Sequence, residues 1–157
     1  MSAAELVGRL AHVPARVSRT LAGRAEAEFR RAAPGEGWSA AEIIAHLRAS
    51  DEIVTYRVYA MLVRENPPMP GYDERRWADV AGFAGADVAS SLRLYALRRS
   101  ELVRTLERIG PEEWKRVGLH EERGTISLQE MLELFVGHEE EHCLQLEAVY
   151  SGGESVP

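Results

Sequence analysis

The chain has 157 residues, which is long enough for one domain with a hydrophobic core and too short for two full domains. Hydrophobic residues make up 45% and charged residues 28%, as in a globular protein, and the net charge of −6 with dispersed arginines argues against a nucleic-acid partner. No apolar run approaches the roughly 20 residues that cross a bilayer, no signal peptide is recognisable, and the single cysteine, Cys143, excludes an internal disulfide. We therefore expect a cytoplasmic protein without a membrane segment, with one domain over residues 1–150 and a flexible tail over residues 151–157.

Apolar residues recur every three or four positions over residues 3–22, which predicts an amphipathic first helix. Pro14 removes one backbone hydrogen bond within it and predicts a kink. His12 lies off the apolar face and is expected in solvent. The segment that follows contains Phe29 as a candidate core residue and includes a predicted turn over residues 33–37.

A capping box formed by Ser39 and Glu42 predicts the start of a second helix, which extends to about Glu65. Its buried face is predicted to comprise Ile43, Leu47, Val54, Val58 and Met61. His46 lies on the flank of that face, near the edge that an adjacent helix would cover, together with Ser50, Ile53 and Arg57. His46 is therefore a candidate metal ligand if further ligands face it.

Three prolines within residues 66–71 end the second helix, and a connection to about residue 86 follows. Tyr72 and Trp77 in this connection either border the functional site or merely pack over the core. A third helix is predicted over residues 87–110, with an apolar face of Val88, Leu92, Tyr95, Leu102, Leu106 and Ile109. That face carries no histidine, cysteine or inward carboxylate, so we expect this helix to be a structural wall.

Residues 111–126 are predicted to form a loop. His120 in this loop either approaches the site or lies in solvent, and the solvent position is favoured. A second capping box, Ser127 and Glu130, predicts the start of a fourth helix that extends to about Tyr150. Four amphipathic helices without a convincing strand predict an all-α four-helix bundle, and the long connection between the second and third helices allows a crossover that leaves them parallel.

Residues 137–142 read Gly-His-Glu-Glu-Glu-His, which places His138 and His142 one turn apart on the fourth helix. Both fall on its apolar face, which consists of Leu128, Met131, Phe135, Leu146 and Val149. A buried imidazole needs a polar partner, because an unsatisfied nitrogen costs about 1–3 kcal/mol. The spacing alone leaves a metal site and structural histidines equally open, and the zincin-like Glu139 does not decide between them because a metal site needs a third ligand.

The order and spacing of several short motifs resemble the DinB superfamily of bacterial four-helix-bundle metalloproteins. The motifs are Gly37-Trp38-Ser39, Glu42-Ile43-Ile44-Ala45-His46-Leu47, Tyr72-Asp73-Glu74-Arg75-Arg76-Trp77, Gly124-Thr125-Ile126-Ser127-Leu128, and His138-Glu139-Glu140-Glu141-His142 with Gln145. The resemblance implies an up-down-down-up bundle in which His46, His138 and His142 bind a divalent ion, zinc or nickel. It also implies a homodimer. One departure is that acidic residues fill positions 139 to 141, where relatives often carry a basic residue or a further histidine.

The resemblance implies two possible functions, and a third, non-catalytic one stays open. The leading hypothesis is a thiol S-transferase that activates a low-molecular-weight thiol of the bacillithiol or mycothiol type on the metal and adds it to a small-molecule electrophile, in detoxification or stress response. The second is a metal-dependent hydrolase that uses metal-bound hydroxide, with Glu139 or Glu42 as the proton acceptor. The third is a metal-binding stress protein without turnover.

Overall fold

The computed structural model describes residues 1–32 and 37–151, the last of these by its backbone only. The predicted turn over residues 33–37 and the predicted tail therefore lie almost entirely outside the described residues. The α-helices, in chain order, are α1 (Ala3–Leu21), α2 (Ala40–Val63), α3 (Glu74–Ala81), α4 (Val88–Leu106), α5 (Pro111–Trp114) and α6 (Leu128–Ser151). Two 3₁₀ helices accompany them, Glu26–Arg30 and Phe83–Gly85.

Local hydrogen bonds fix the starts of the two helices that carry the histidines. The hydroxyl of Ser39 accepts from the backbone N–H of Glu42, whose carboxylate accepts from the backbone N–H of Ser39 at 2.8 Å. Ser127 and Glu130 make the same reciprocal pair before α6. Both predicted capping boxes are therefore confirmed, and each satisfies backbone donors that the first turn of a helix leaves free.

The long helices α1, α2, α4 and α6 form the predicted four-helix bundle. Helices α1 and α2 each pack against both α4 and α6. The up-down-down-up order of helix directions stays a prediction. The predicted core positions of α2 are all buried, namely Ile43, Leu47, Val54, Val58 and Met61.

A small sheet closes one end of the bundle, at positions where the sequence showed no convincing strand. Strand β1 (Pro68–Met69) pairs in parallel with β2 (Val117–His120), and β2 pairs antiparallel with β3 (Gly124–Ser127). Residues 111–126 are thus a short helix and a hairpin rather than a loop. Strands of two to four residues are too short to show an alternating pattern in the sequence.

The connection between α2 and α4 is structured and lies against α2. Asp73 caps α3, and Gly82 ends it in the left-handed conformation at φ 65°. Trp77 is largely exposed, so it does not pack over the core as one expectation had it. Within the described part of the chain, no helix combines the length and hydropathy that crossing a membrane requires.

Candidate metal centre

Three histidines converge between α2 and α6. Their ring centroids lie 5.1 Å (His46 to His138), 4.6 Å (His46 to His142) and 4.5 Å (His138 to His142) apart. One ring nitrogen from each can be chosen so that all three lie within 4.8 Å of one another. The structure therefore brings together the three residues that the sequence singled out as candidate ligands.

The three side chains come from a simple helical arrangement. His138 and His142 are one turn apart on α6, so both rings face the same neighbouring helix. That neighbour is α2, which contributes His46, with its Nε2 atom 2.9 Å from Nε2 of His138. The capping box at Ser39 sets where α2 begins and hence the height of His46 in the bundle.

Burial keeps the imidazoles of His46 and His138 neutral. It lowers the pKa of His46 to about 3 and that of His138 to about 4, and the neighbouring imidazoles lower both further. At neutral pH both of these rings therefore carry a nitrogen lone pair, which is the form that binds a metal ion. Nε2 of His46 also lies 3.3 Å from the Ser50 hydroxyl and 3.6 Å from the Glu74 carboxylate.

A second layer of contacts orients the rings. Nδ1 of His142 lies 2.7 Å from the side-chain oxygen of Gln145, and because that oxygen only accepts, Nδ1 carries the hydrogen. The lone pair of His142 is then on Nε2. Trp38 stacks on the ring of His142 and contacts that of His46. Outer partners of this kind are typical of metal-bound histidines, and three imidazole ligands fit a zinc- or nickel-class ion with coordination positions left over.

A cavity of about 320 Å³ opens beside His138. One wall is apolar and includes Ile126, Met131 and Phe135. Tyr72 lies on the other side, and its hydroxyl is 2.9 Å from that of Ser50, so Tyr72 borders the site. The cavity is concave, and most of the side chains that line it are polar or charged, so a small molecule bound there would meet several hydrogen-bonding groups beside one apolar wall.

His120 also lines this cavity, from strand β2. The favoured expectation that it lies in solvent was wrong, because the small sheet draws this segment against the bundle and leaves His120 half-buried. His12, by contrast, is exposed on α1 as expected and lies 3.0 Å from an Nη2 atom of Arg19.

Neither proposed proton acceptor is available at the cluster. Glu139 is fully buried, and its two oxygens accept hydrogen bonds from Tyr95 and Arg99. This corrects the expectation that Glu139 could serve as a base, because its carboxylate is held within the core by two other side chains. Glu42 is likewise engaged, since its carboxylate caps α2 through Ser39.

Helix α4 is not only the structural wall that its sequence suggested, because it carries the buried Arg99. Arg99 is 1% exposed and donates to Asp51 at 2.9 and 2.8 Å, to Glu139 at 2.9 and 2.6 Å, and to the backbone oxygen of Leu10 at 2.8 Å. Burial raises the pKa of Asp51 and of Glu139, and Arg99 counteracts this only in part. The network joins α2, α4 and α6 beside the histidines.

The sequence contained a signal for this network. Residues 95, 99, 102 and 106 follow the spacing of the apolar face of α4, so Arg99 belongs to that face by position. Long basic side chains usually reach solvent from such positions, which is why the spacing alone does not predict full burial. Cys143 is buried as expected, and burial raises the pKa of its thiol to about 11, so it is not a reactive thiol.

The chain is similar to known proteins along most of its length. The family model described as the DinB superfamily matches residues 9–146. A protein of Oceanobacillus iheyensis is 26% identical over 110 residues, which are 70% of this chain and 63% of that protein, so the match spans less than two thirds of that relative. YfiT of Bacillus subtilis is 25% identical over 138 residues, 87% of this chain and 78% of YfiT. Both relatives are provisionally named metal-dependent hydrolases.

Two solved structures share the fold. YfiT, described as a probable metal-dependent hydrolase with an unusual four-helix bundle topology, aligns with a TM-score of 0.90 at 22% identity over 97% of this chain and 89% of its own. A mycothiol-dependent maleylpyruvate isomerase aligns with a TM-score of 0.76 at 19% identity over 93% of this chain and 61% of its own. At these identities the structural likeness concerns the fold. Because the family model covers most of the sequence, the chain belongs to the DinB superfamily.

Proposed function

We propose that this protein is an enzyme that depends on a divalent metal ion held by His46, His138 and His142. The observation that carries the proposal is that three imidazoles converge and that one of them, His138, lines a cavity of about 320 Å³. Structural zinc sites usually have four protein ligands, whereas catalytic sites have three and an open position. A divalent ion in this site would act as a Lewis acid that lowers the pKa of a thiol or water.

The reaction we favour is transfer of a low-molecular-weight thiol, of the bacillithiol or mycothiol type, to a small electrophile. In this reaction the S–H bond of the thiol breaks, a C–S bond forms, and the leaving group departs with its electron pair while the proton is released. The protein has no reactive thiol of its own, because Cys143 is buried with a raised pKa, so an external thiol is needed. The apolar wall at Met131 and Phe135 would exclude water from the electrophile.

The second candidate is hydrolysis, and the position of Glu74 favours it. Its carboxylate lies 3.6 Å from Nε2 of His46, is 48% exposed and borders the cavity. A carboxylate at that position is within reach of a proton on a water molecule at the cluster. The provisional names of the two relatives support this candidate as well. A metal-binding stress protein without turnover is the third candidate.

Metal analysis followed by a thiol-transfer assay separates these candidates. Protein purified without a His tag would be loaded with zinc or nickel and tested for thiol-dependent consumption of monochlorobimane. Loss of that activity in His138→Ala, with activity kept in the exposed-site control His12→Ala, would support the transferase. Ester or amide cleavage without thiol would support the hydrolase, and bound metal with neither activity the third candidate.

If no divalent ion bound to the protein under any loading condition, the proposed metal centre itself would be refuted.

The proposal also includes a cytoplasmic location, a homodimer, and small molecules rather than nucleic acid or membrane as partners. The family resemblance supports the homodimer. The single cysteine supports the cytoplasmic location, and the dispersed charges support a partner other than nucleic acid.

A further inference from the structure

Two arginines are buried in the described part of the chain, and their surroundings differ. Arg99 is 1% exposed and faces two carboxylates, so its charge is compensated. Arg57 is 8% exposed, yet within residues 1–32 and 37–151 no carboxylate lies within ion-pair distance of it. Burial of a charge without a counter-charge costs free energy. The two carboxylates account for the burial of Arg99, whereas no such partner among the described residues accounts for that of Arg57.

The contacts of Arg57 leave most of its donors unused. One Nη atom donates to the backbone oxygen of Pro70. The other lies 3.5 Å from Nε2 of His120, while Nδ1 of that ring lies 3.3 Å from the backbone N–H of Glu122. Arginine and a backbone N–H only donate, and a neutral imidazole has one nitrogen that accepts, so only one of these two contacts is a hydrogen bond. Burial lowers the pKa of Arg57, in keeping with this shortage of partners.

Arg57 and His138 of the histidine cluster line the same cavity. Arg57 follows His46 by eleven positions on α2, which is three turns of the same helix face and about 16 Å along the axis. Side chains on a helix lean towards its N-terminus, which for Arg57 is the direction of His46. Between them the cavity is lined by Ser50 and Tyr72 on one side and by the apolar Phe135 on the other.

We infer that Arg57, with His120 beside it, is the subsite that binds a carboxylate group of the substrate. The substrate would be a small organic acid whose carbon chain lies along the apolar wall and whose reacting end reaches His138. Glu74, Glu122 and Arg123 also line the cavity. The two carboxylates outweigh the charge of Arg123 and would oppose a second negative charge on the ligand, which favours a carboxylate over a phosphate. The inference rests on the proposed function, in which the carboxylate belongs either to the electrophile or to the thiol.

Binding of hexanoate and of its neutral analogue hexanamide, followed by NMR titration, tests the subsite directly. We expect the wild-type protein, loaded with zinc, to bind hexanoate at least about ten-fold more tightly than hexanamide, as a charge-assisted hydrogen bond implies. Arg57→Gln should abolish this preference and Arg57→Lys should keep part of it. Arg123→Gln, at an exposed arginine that lines the same cavity, should keep it fully.

Three results of this titration with the zinc-loaded protein would overturn the inference. These are equal binding of hexanoate and hexanamide to the wild-type protein, an undiminished preference in Arg57→Gln, and an equal loss in Arg57→Gln and Arg123→Gln. Repeating the titration after removal of zinc by a chelator distinguishes Arg57 from the metal as the binding group. The preference should persist in the metal-free protein, and its disappearance there would place the carboxylate on the metal instead.

Two matched pairs of reactants then identify which substrate carries the carboxylate. The thiols are 6-mercaptohexanoate and 6-mercaptohexanol, each with iodoacetamide; the electrophiles are 6-bromohexanoate and 6-bromohexanamide, each with 2-mercaptoethanol. A KM raised by Arg57→Gln only for 6-mercaptohexanoate places the group on the thiol, and only for 6-bromohexanoate on the electrophile. An active enzyme with neither effect would contradict the inference. Absence of all turnover would instead count against the transferase, while the hexanoate titration would still decide the subsite.

Discussion

Replacement of Arg99 by methionine would leave two carboxylates in the core without a counter-charge. In the structure Arg99 donates five hydrogen bonds, four of them to Asp51 and Glu139, and both carboxylates are 0% exposed. Removal of one partner from a buried charge network typically costs about 3–5 kcal/mol. For a domain of this size, that loss lowers Tm by roughly 6–20 °C.

Thermal and urea unfolding of Arg99→Met would measure this loss. The neighbouring Arg98→Met is the matched control, because Arg98 pairs with Glu52 at the surface and such a pair is worth less than about 1 kcal/mol. Replacement of all three network residues by apolar ones should cost less than Arg99→Met alone, since no charge then stays buried. An effect of Arg99→Met no larger than that of the control would refute the buried network.

Two further predictions concern the metal centre. In the metal-free protein, burial lowers the pKa of His46 to about 3 against about 6.5 in the unfolded chain, so stability is lost as the pH falls below that unfolded value. Between pH 7 and pH 5 the unfolding free energy, measured by urea titration, should therefore fall by roughly 2 kcal/mol more in the wild type than in His46→Gln. Equal falls in the two proteins would contradict the lowered pKa of His46. Gln145→Ala should weaken zinc binding about 10- to 100-fold by calorimetry, whereas Gln129→Ala, in the first turn of α6, should not change it.

The sequence predicted α2 well but did not predict the sheet beside it. The start of α2, its buried face and His46 followed from residues a few positions apart, and the structure has them as expected. Arg57 lies on the same flank of α2 as His46, so its position in the sequence indicated that it faces the same side of the bundle. The sequence did not indicate its contact with His120, because His120 lies 63 positions away and reaches Arg57 only through the sheet.

The sequence by itself determined the helices, their capped starts, the apolar faces and the pairing of His138 with His142, because these depend on interactions within one or two turns of the chain. Tertiary structure alone decided which distant groups meet. It placed Glu139 against Arg99, joined β1 to β2, and brought His120 to the cavity. The physical reason is that a buried charge or a two-residue strand is stable only with its partner, and local sequence patterns carry no information about that partner.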